Sequence, residues 1–219
     1  RKMLEAVGKH IDAVTVSTPD HTHAVATGMA LKMGKACYTQ KPLTRTIWEA
    51  RRLSELAANA KVATQMGNQG SESPGLRSAA AKLKSGILGN VKEIHIWTNR
   101  PVWPQGIPRP AEQPVPNNLH WNEFIGPVEM RPYNAAYHPF KWRGFWAFGT
   151  GALGDMACHT LNVAFSGCDL VNPVSVQATT TGHNGETFPA SSKITFEFAP
   201  TKNRPALNMI WYDGGNKVD

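Results

Sequence analysis

The chain before Gly70 alternates between short apolar runs and helical segments, and this alternation limits the fold more than any other feature. IDAVTVST is an apolar, β-branched run of the kind found in strands, and ACYTQKP and KVATQMGN resemble a second and a third short strand. Pro19-Asp20 starts a helix after the first run, and apolar residues recur at helical spacing over residues 45–60 after the second. This order predicts a parallel sheet with crossover helices, in which IDAVTVST is a strand buried on both faces.

A parallel sheet of this kind often binds a dinucleotide, and it then carries a glycine fingerprint at its first strand-to-helix turn. No such fingerprint precedes Gly70. Either the sheet is not a nucleotide-binding domain, or the chain is a fragment that lacks the opening units. The chain begins on what reads as the tail of a helix, and this favours the fragment.

Composition and charge exclude several classes of protein. With 219 residues and 41% hydrophobic content, the chain is long enough for a real core, and it lacks an apolar run of the roughly 20 residues that a membrane span needs. The net charge is +7, but no basic run exceeds two residues, so we expect no nucleic-acid surface. The positive charge is also compatible with a second hypothesis, a basic pocket that binds a phosphorylated small molecule. Three cysteines without a C-x-x-C pair indicate neither a disulfide framework nor a zinc ribbon.

The sequence pattern changes after Gly70, where alternating strand-like runs and a long proline-rich loop replace the strand–helix order. VKEIHIWT alternates like a half-buried strand, and the runs PVSVQATTT, SSKITFEF and PALNMIWY predict an open, largely antiparallel sheet. Residues 100–143 hold nine of the sixteen prolines, and a loop this long in a compact domain is usually functional. Its tryptophans either present flat faces to a ligand or pin the loop to the domain. We predict a first domain at 1–69 and a second at 70–219, truncated at its C-terminus.

The stretch GTGALGDMACHT contains a literal G-x-G-x-x-G at Gly149, Gly151 and Gly154. A dinucleotide fingerprint needs a preceding strand, and the aromatic HPFKWRGFWAFG is a poor candidate for one. The alternative is a glycine-rich helix entry where the backbone comes close to a ligand. Asp155 and His159 then share one face, which suits a general acid or base held by a carboxylate, although an ordinary helical ion pair has the same spacing. Asn162 extends the same polar stripe.

Polar side chains also follow the first two predicted strands. His21 and His23 come after the first strand and Lys41 after the second, at the edge where parallel sheets bind ligands. Two histidines near a helix start could hold a metal, but no nearby residues supply the remaining ligands, so we predict no metal site.

These pieces together resemble the Gfo/Idh/MocA family of NAD(P)-dependent oxidoreductases. VTVSTPDHTHAVATGMALKMGKACYTQKPL is similar to the family's strand, T-P-x-x-x-H helix and E-K-P strand end, and GALGDMACH is similar to its G-x-x-x-D-x-x-x-H helix. The resemblance implies a partial Rossmann doubly wound parallel sheet followed by an α+β domain with an open, mostly antiparallel sheet. It also implies NAD or NADP as cofactor, a carbohydrate-like substrate, and a homo-oligomer formed through the open sheet.

The resemblance assigns roles residue by residue. It implies a catalytic set of Lys41, Asp155 and His159, with His159 as the proton carrier. Cofactor contacts would come from Thr18, Pro19, His23, Gln40 and Lys41. Substrate contacts would come from Tyr137, His138, Lys141, Trp142, Arg143, Asp155 and His159.

Two departures from the family pattern matter. Gln40 stands where the family usually has Glu, which removes a negative charge beside Lys41, and the glycine fingerprint is missing. We therefore expect this segment alone to bind NAD weakly or not at all. Two rival functions stay open, an NAD-dependent glycoside hydrolase that oxidises its substrate transiently and a non-catalytic sugar-binding module. The sequence predicts a soluble protein, cytoplasmic or, with an export signal upstream, periplasmic.

Overall fold

The computed structural model describes residues 2–218, and these divide into two compact units. The first unit comprises the described residues up to Asn68 together with Arg109–Thr150. The second comprises Gln69–Pro108 and the described residues from Gly151 onward. The predicted boundary at 69/70 lies beside the first of these divisions, but the proline-rich segment returns to the first unit from Arg109 onward. None of the helices within residues 2–218 is long and apolar enough to cross a membrane.

A three-stranded parallel sheet forms the centre of the first unit, in the order β1-β2-β3. Its elements are α1 (Lys2–Val7), β1 (Ala13–Val16), α2 (Asp20–Lys32), β2 (Ala36–Gln40), α3 (Ile47–Ala60), β3 (Thr64–Gly67) and, from the later segment, α5 (Trp121–Ile125). Thr46 caps α3 in a capping box with Glu49, so the sequence fixes where this helix begins. The apolar cluster around this sheet consists mainly of small and aliphatic residues, among them Val16, Ala30 and Leu53.

The first strand differs from its prediction. Ala13 and Thr15 are exposed, whereas Val16 is buried, so β1 is not buried on both faces. The reason is position, because β1 is an edge strand of the sheet that the described residues form.

A four-stranded mixed sheet in the order β4-β7-β6-β5 forms the second unit. Its elements are α4 (Pro74–Lys84), β4 (Glu93–Trp97), α6 (Gly151–Thr160), α7 (Asn162–Gly167), β5 (Ser175–Thr181), β6 (Ser191–Phe198) and β7 (Leu207–Asp213). β5, β6 and β7 pair antiparallel as predicted, but β4 pairs with β7 in parallel. One face of the sheet packs on α6 and α7, with Met209 and Trp211 fully buried. The α/β fold class is confirmed.

Asp213, at the end of β7, has a buried carboxyl group whose ionisation lowers the stability of the folded state. Its Oδ2 accepts a hydrogen bond from Trp211 Nε1 at 2.8 Å, yet burial outweighs this bond and raises the pKa of Asp213. A raised folded-state pKa means that the unfolded chain ionises first as pH rises. Protonated Asp213 therefore contributes to the free energy of unfolding in acid, and this contribution is lost as pH rises through the folded-state pKa.

We expect Asp213→Asn to raise the Tm near neutral pH, because the amide keeps the acceptor for Trp211 and cannot ionise. At about pH 3 the aspartate is protonated in both states, so the Tm of the variant and the wild type should agree. Thermal unfolding at both pH values checks this. A shift of the same size at both would show that charge is not the cause.

Candidate active site

The carboxyl ends of β1 and β2 lie at the same edge of the parallel sheet. Val16 pairs with Thr39, so the segments that follow, Ser17–Pro19 and Lys41–Pro42, leave the sheet side by side. Thr18 is exposed and Lys41 is half-buried, and α2 begins immediately after Pro19. Ligands of open parallel sheets bind at such an edge, so the predicted positions of Thr18, Pro19 and Lys41 suit a ligand.

Two other residues of the predicted cofactor set lie differently. Gln40 is half-buried at the last position of β2, opposite Gly67 on β3. His23 is buried, and its two ring nitrogen atoms face the carbonyl oxygens of Thr18 and Pro42. It therefore contacts the two strand-end segments and does not line an open surface.

The first turn of α2 also holds the segment 109–150. His21 is 1% exposed, its Nε2 is 2.7 Å from the carbonyl oxygen of Phe124, and its backbone N–H donates to the carbonyl oxygen of Phe148 at 3.2 Å. The ring also contacts the side chains of both phenylalanines. Burial lowers the pKa of His21, so the imidazole is neutral at neutral pH. It links two parts of the chain about a hundred residues apart.

Asp20 and Arg45 make two further links that the sequence did not predict. Thr150 Oγ1 donates to Asp20 Oδ2 at 2.8 Å, and Arg45 Nη1 donates to the carbonyl oxygen of Trp146 at the same distance. Asp20 is 4% exposed, so its carboxylate depends on such donors. Nothing in the local sequence could indicate these contacts, because each joins residues at least a hundred positions apart.

We expect Thr150→Val to destabilise the protein by about 1–3 kcal/mol, because a buried carboxylate loses a hydroxyl donor while the side chain keeps its shape. Thr179→Val on the exposed strand β5 is the matched control and should change stability by less than about 0.5 kcal/mol. Urea denaturation of both variants makes the comparison. Equal effects would mean that the bond to Asp20 contributes nothing specific.

The predicted substrate residues between 137 and 143 divide by exposure. Tyr137 and Trp142 are buried, and Tyr137 packs between Trp121, Phe145 and Phe148. His138 and Arg143 are half-buried and Lys141 is exposed, so these three side chains can reach a ligand. The loop tryptophans divide in the same way. Trp103, Trp121 and Trp142 are buried, whereas Trp97 and Trp146 are exposed.

Helix α6 carries the predicted Asp155 and His159 one turn apart. Asp155 is 8% exposed and His159 is half-buried, so a buried carboxyl side chain and a more accessible imidazole lie one turn apart on one helix face. Asn162 does not extend this stripe, because α6 ends at Thr160 and Asn162 starts α7. Its Nδ2 donates to Ser71 Oγ at 3.1 Å instead.

Gly149 and Gly151, at the start of α6, pack closely against other parts of the chain. A Cβ atom on Gly149 would lie 2.3 Å from the carbonyl oxygen of Arg143. Gly151 has a φ of +63°, and a Cβ atom there would lie 2.6 Å from the ring of Phe188. Close packing against Arg143 and Phe188 is therefore a reason for glycine at these two positions. The element before Gly149 is a short 3₁₀ helix, Lys141–Gly144, and not the strand that a dinucleotide fingerprint requires.

The positions of the histidines and cysteines bear on the predictions about metal and disulfide sites. Within residues 2–218, no three His, Cys, Asp or Glu side chains lie close enough together to hold a metal ion. His21 and His23 instead direct ring nitrogens at backbone carbonyl oxygens. Cys37, Cys158 and Cys168 are free thiols.

Two family models match the chain in the same order as the two halves of the sequence. Residues 1–68 match the NAD-binding Rossmann fold of the Gfo/Idh/MocA oxidoreductases, and residues 82–204 match the C-terminal α/β domain of the same family. The chain belongs to the Gfo/Idh/MocA family. The resemblance inferred from its two motifs is therefore confirmed. A search of curated proteins found no significant match.

Solved structures of other Gfo/Idh/MocA proteins share the fold at low sequence identity. An inositol dehydrogenase homologue from Azotobacter vinelandii in complex with NAD⁺ is 19% identical, with a TM-score of 0.71 over 99% of this chain and 50% of the other. The same homologue in complex with NADH and myo-inositol is 17% identical, with a TM-score of 0.67 over 99% of this chain and 48% of the other. The aldose-aldose oxidoreductase from Caulobacter crescentus, in complex with glycerol, is 17% identical, with a TM-score of 0.63 over 95% of this chain and 53% of the other. The chain spans about half the length of these relatives.

The residues at the sheet edge fit part of the site for the family's dinucleotide. Thr18 offers an exposed hydroxyl at the start of α2, and Lys41 offers a half-buried ammonium group at the end of β2. Hydroxyl and ammonium donors suit the hydroxyls and phosphates of a dinucleotide. Thr18, Pro19 and Lys41 stay the predicted cofactor contacts of this Gfo/Idh/MocA chain.

Proposed function

We propose that the protein is an oxidoreductase that transfers a hydride between NAD(P) and a carbinol carbon of a sugar, cyclitol or related polyol. Membership of the Gfo/Idh/MocA family supports the reaction class. Relatives solved with myo-inositol and with glycerol support a polyol as substrate. The observation that carries the proposal is the pairing on α6 of a buried carboxylate, Asp155, with the more accessible imidazole of His159.

Each side chain then has a distinct task. The nicotinamide supplies the hydride acceptor or donor when it is bound. His159 takes the hydroxyl proton during oxidation and returns it during reduction, because imidazole is the side chain that most often exchanges protons near neutral pH. Asp155 orients the imidazole, and the ammonium group of Lys41 stabilises negative charge on the reacting oxygen. His138, Lys141 and Arg143 are candidates for contacts with substrate hydroxyls.

The test is steady-state formation of NADH or NADPH with a panel of polyols and aldoses, in a chain of full family length. Turnover that releases reduced cofactor in proportion to product supports the proposal. Hydrolysis of a glycoside without net reduction would favour the hydrolase, and binding of sugars without any turnover would favour the non-catalytic module. Titration of the present chain with NADH, followed by nicotinamide fluorescence, should show weak binding or none, and micromolar affinity would contradict that expectation.

The same proposal includes a homo-oligomer formed through the open face of the second unit's sheet. Trp97 on the edge strand β4 is more than half exposed, and its pairing with Tyr212 on β7 places it on the face opposite the buried Trp211. His95 lies on the face that Trp97 shares, with its Nε2 2.6 Å from Glu93 Oε1. Analytical ultracentrifugation of the wild type and Trp97→Lys tests this, and an unchanged mass would exclude this face.

A further inference from the structure

His23 connects the two segments that leave the parallel sheet at its ligand-binding edge. Its Nε2 is 2.6 Å from the carbonyl oxygen of Thr18, and its Nδ1 is 2.8 Å from the carbonyl oxygen of Pro42. The side chain is 1% exposed, so neither contact is open to water. Thr18 belongs to the segment after β1, and Pro42 directly follows Lys41 after β2.

This geometry gives His23 an indirect role. Both ring nitrogens are directed at backbone carbonyl oxygens, so neither is available to bind a dinucleotide or a substrate. A residue buried in this way acts through the segments that it holds. The segment it holds on one side is the one that carries Lys41.

The charge state of the ring decides how many of the two bonds form. Carbonyl oxygens only accept, so a neutral imidazole donates to one of them and an imidazolium donates to both. Burial lowers the pKa of His23, against the opposing influence of the two carbonyl groups and of Glu49. One donated bond and a filled volume therefore connect the segments at neutral pH, and acid adds the second bond.

Helix α2 makes a second, separate contact with β2 one turn further on. Thr27 Oγ1 and Thr39 Oγ1 are 2.7 Å apart and both residues are buried, so this bond attaches α2 to the strand itself. His23, one helical turn earlier, attaches α2 to the segment beyond the strand. The Thr27 contact thus resembles the His23 contact in burial and location, but it does not touch the segment of Lys41.

We propose that His23 is a positioning residue, which holds the segments after β1 and β2 together and thereby places Lys41 for the reaction. The catalytic part of this inference rests on the proposed function of Lys41. The structural part concerns only the order of the two segments, and it can be measured on the chain itself.

The structural part is tested by hydrogen exchange of His23→Ala, His23→Gln and Thr27→Val. We expect His23→Ala to raise amide exchange in Ser17, Thr18, Lys41 and residues 43–45 by at least about tenfold, because local opening becomes easier when the connection is lost. Glutamine should restore part of the protection, because its amide group can donate to a carbonyl oxygen. Thr27→Val should leave exchange in these segments unchanged. Equal exchange in all three variants would overturn the proposal, and His23→Gln keeps the test valid if His23→Ala does not fold.

The catalytic part is tested in a chain of full family length. His23→Ala should lower kcat by about 10- to 100-fold, because a shift of about 1 Å in a catalytic group costs this much. It should also raise the KM for NAD, because the two loosened segments carry the predicted cofactor contacts Thr18, Pro19 and Lys41. Thr27→Val should lose stability and keep kcat. A His23→Ala variant with normal kcat would show that His23 does not place Lys41 for the reaction, whatever its KM for NAD. If the wild type shows no turnover but the exchange results hold, the proposed function fails and the positioning of the segments stands.

Discussion

Replacing His159 by alanine is expected to lower kcat by about 10²–10⁴-fold, which is the range that general acid–base catalysis contributes. The loss should appear in kcat and in kcat/KM alike, because proton transfer occurs only in the transition state. The measurement is the initial rate of NADH formation in a chain of full family length. NAD affinity should stay close to that of the wild type, because the residues that fit the dinucleotide lie at the other unit's sheet edge.

The control is His183→Ala, which removes an exposed histidine from the same unit and should leave kcat unchanged. Asp155→Asn completes the test. It keeps the size of the side chain and removes the charge, so it should lower kcat less than His159→Ala does. A His159→Ala variant with more than about a tenth of the wild-type kcat would exclude the imidazole as the proton carrier.

Replacing Gly149 by alanine is expected to destabilise the first unit by more than the roughly 1–3 kcal/mol that overpacking usually costs. The added Cβ would lie within 2.6 Å of three backbone atoms of Arg143, namely its oxygen, Cα and carbonyl carbon. Backbone atoms cannot turn away as a flexible side chain can, so a whole segment has to move. Differential scanning calorimetry should show a lower Tm.

Gly75→Ala is the matched control, with the same atoms added in a different place. Gly75 lies in the first turn of α4, and no atom lies within 4 Å of its added Cβ. Alanine should stabilise this helix by up to about 1 kcal/mol, because it restricts the unfolded chain more than glycine does. Opposite signs for the two variants would confirm that close packing, and not glycine content, sets the effect.

Local features of the sequence predicted most of the secondary structure. Helix α3 follows from the apolar spacing over residues 45–60, and β2 lies within the predicted second strand, so both depend on features that act within a few residues. The order of antiparallel strands in the second unit follows from short runs separated by turns. The parallel pairing of β4 with β7 did not follow, because it joins segments more than a hundred residues apart.

The candidate site shows the same limit. The i, i+4 spacing of Asp155 and His159 places them on one face of α6 from sequence alone. The break before Asn162 was not predicted, because nothing in TLNVAF signals a helix end, and the contact with Ser71 is nonlocal. Burial of Tyr137 depends on tertiary packing against Trp121, Phe145 and Phe148, which no periodic pattern in this loop indicates. The functional assignment of the individual residues remains a prediction.

The return of Arg109–Thr150 to the first unit has a consequence for dissecting the protein. A gene cut after residue 68 would look like a clean excision of the Rossmann portion. The excised piece would nevertheless expose the His21 imidazole and the Asp20 carboxylate, whose partners Phe124 and Thr150 would be on the discarded piece. Modular exchange between relatives should therefore transplant residues 109–150 together with the N-terminal segment, so that the interleaved first unit moves as a whole.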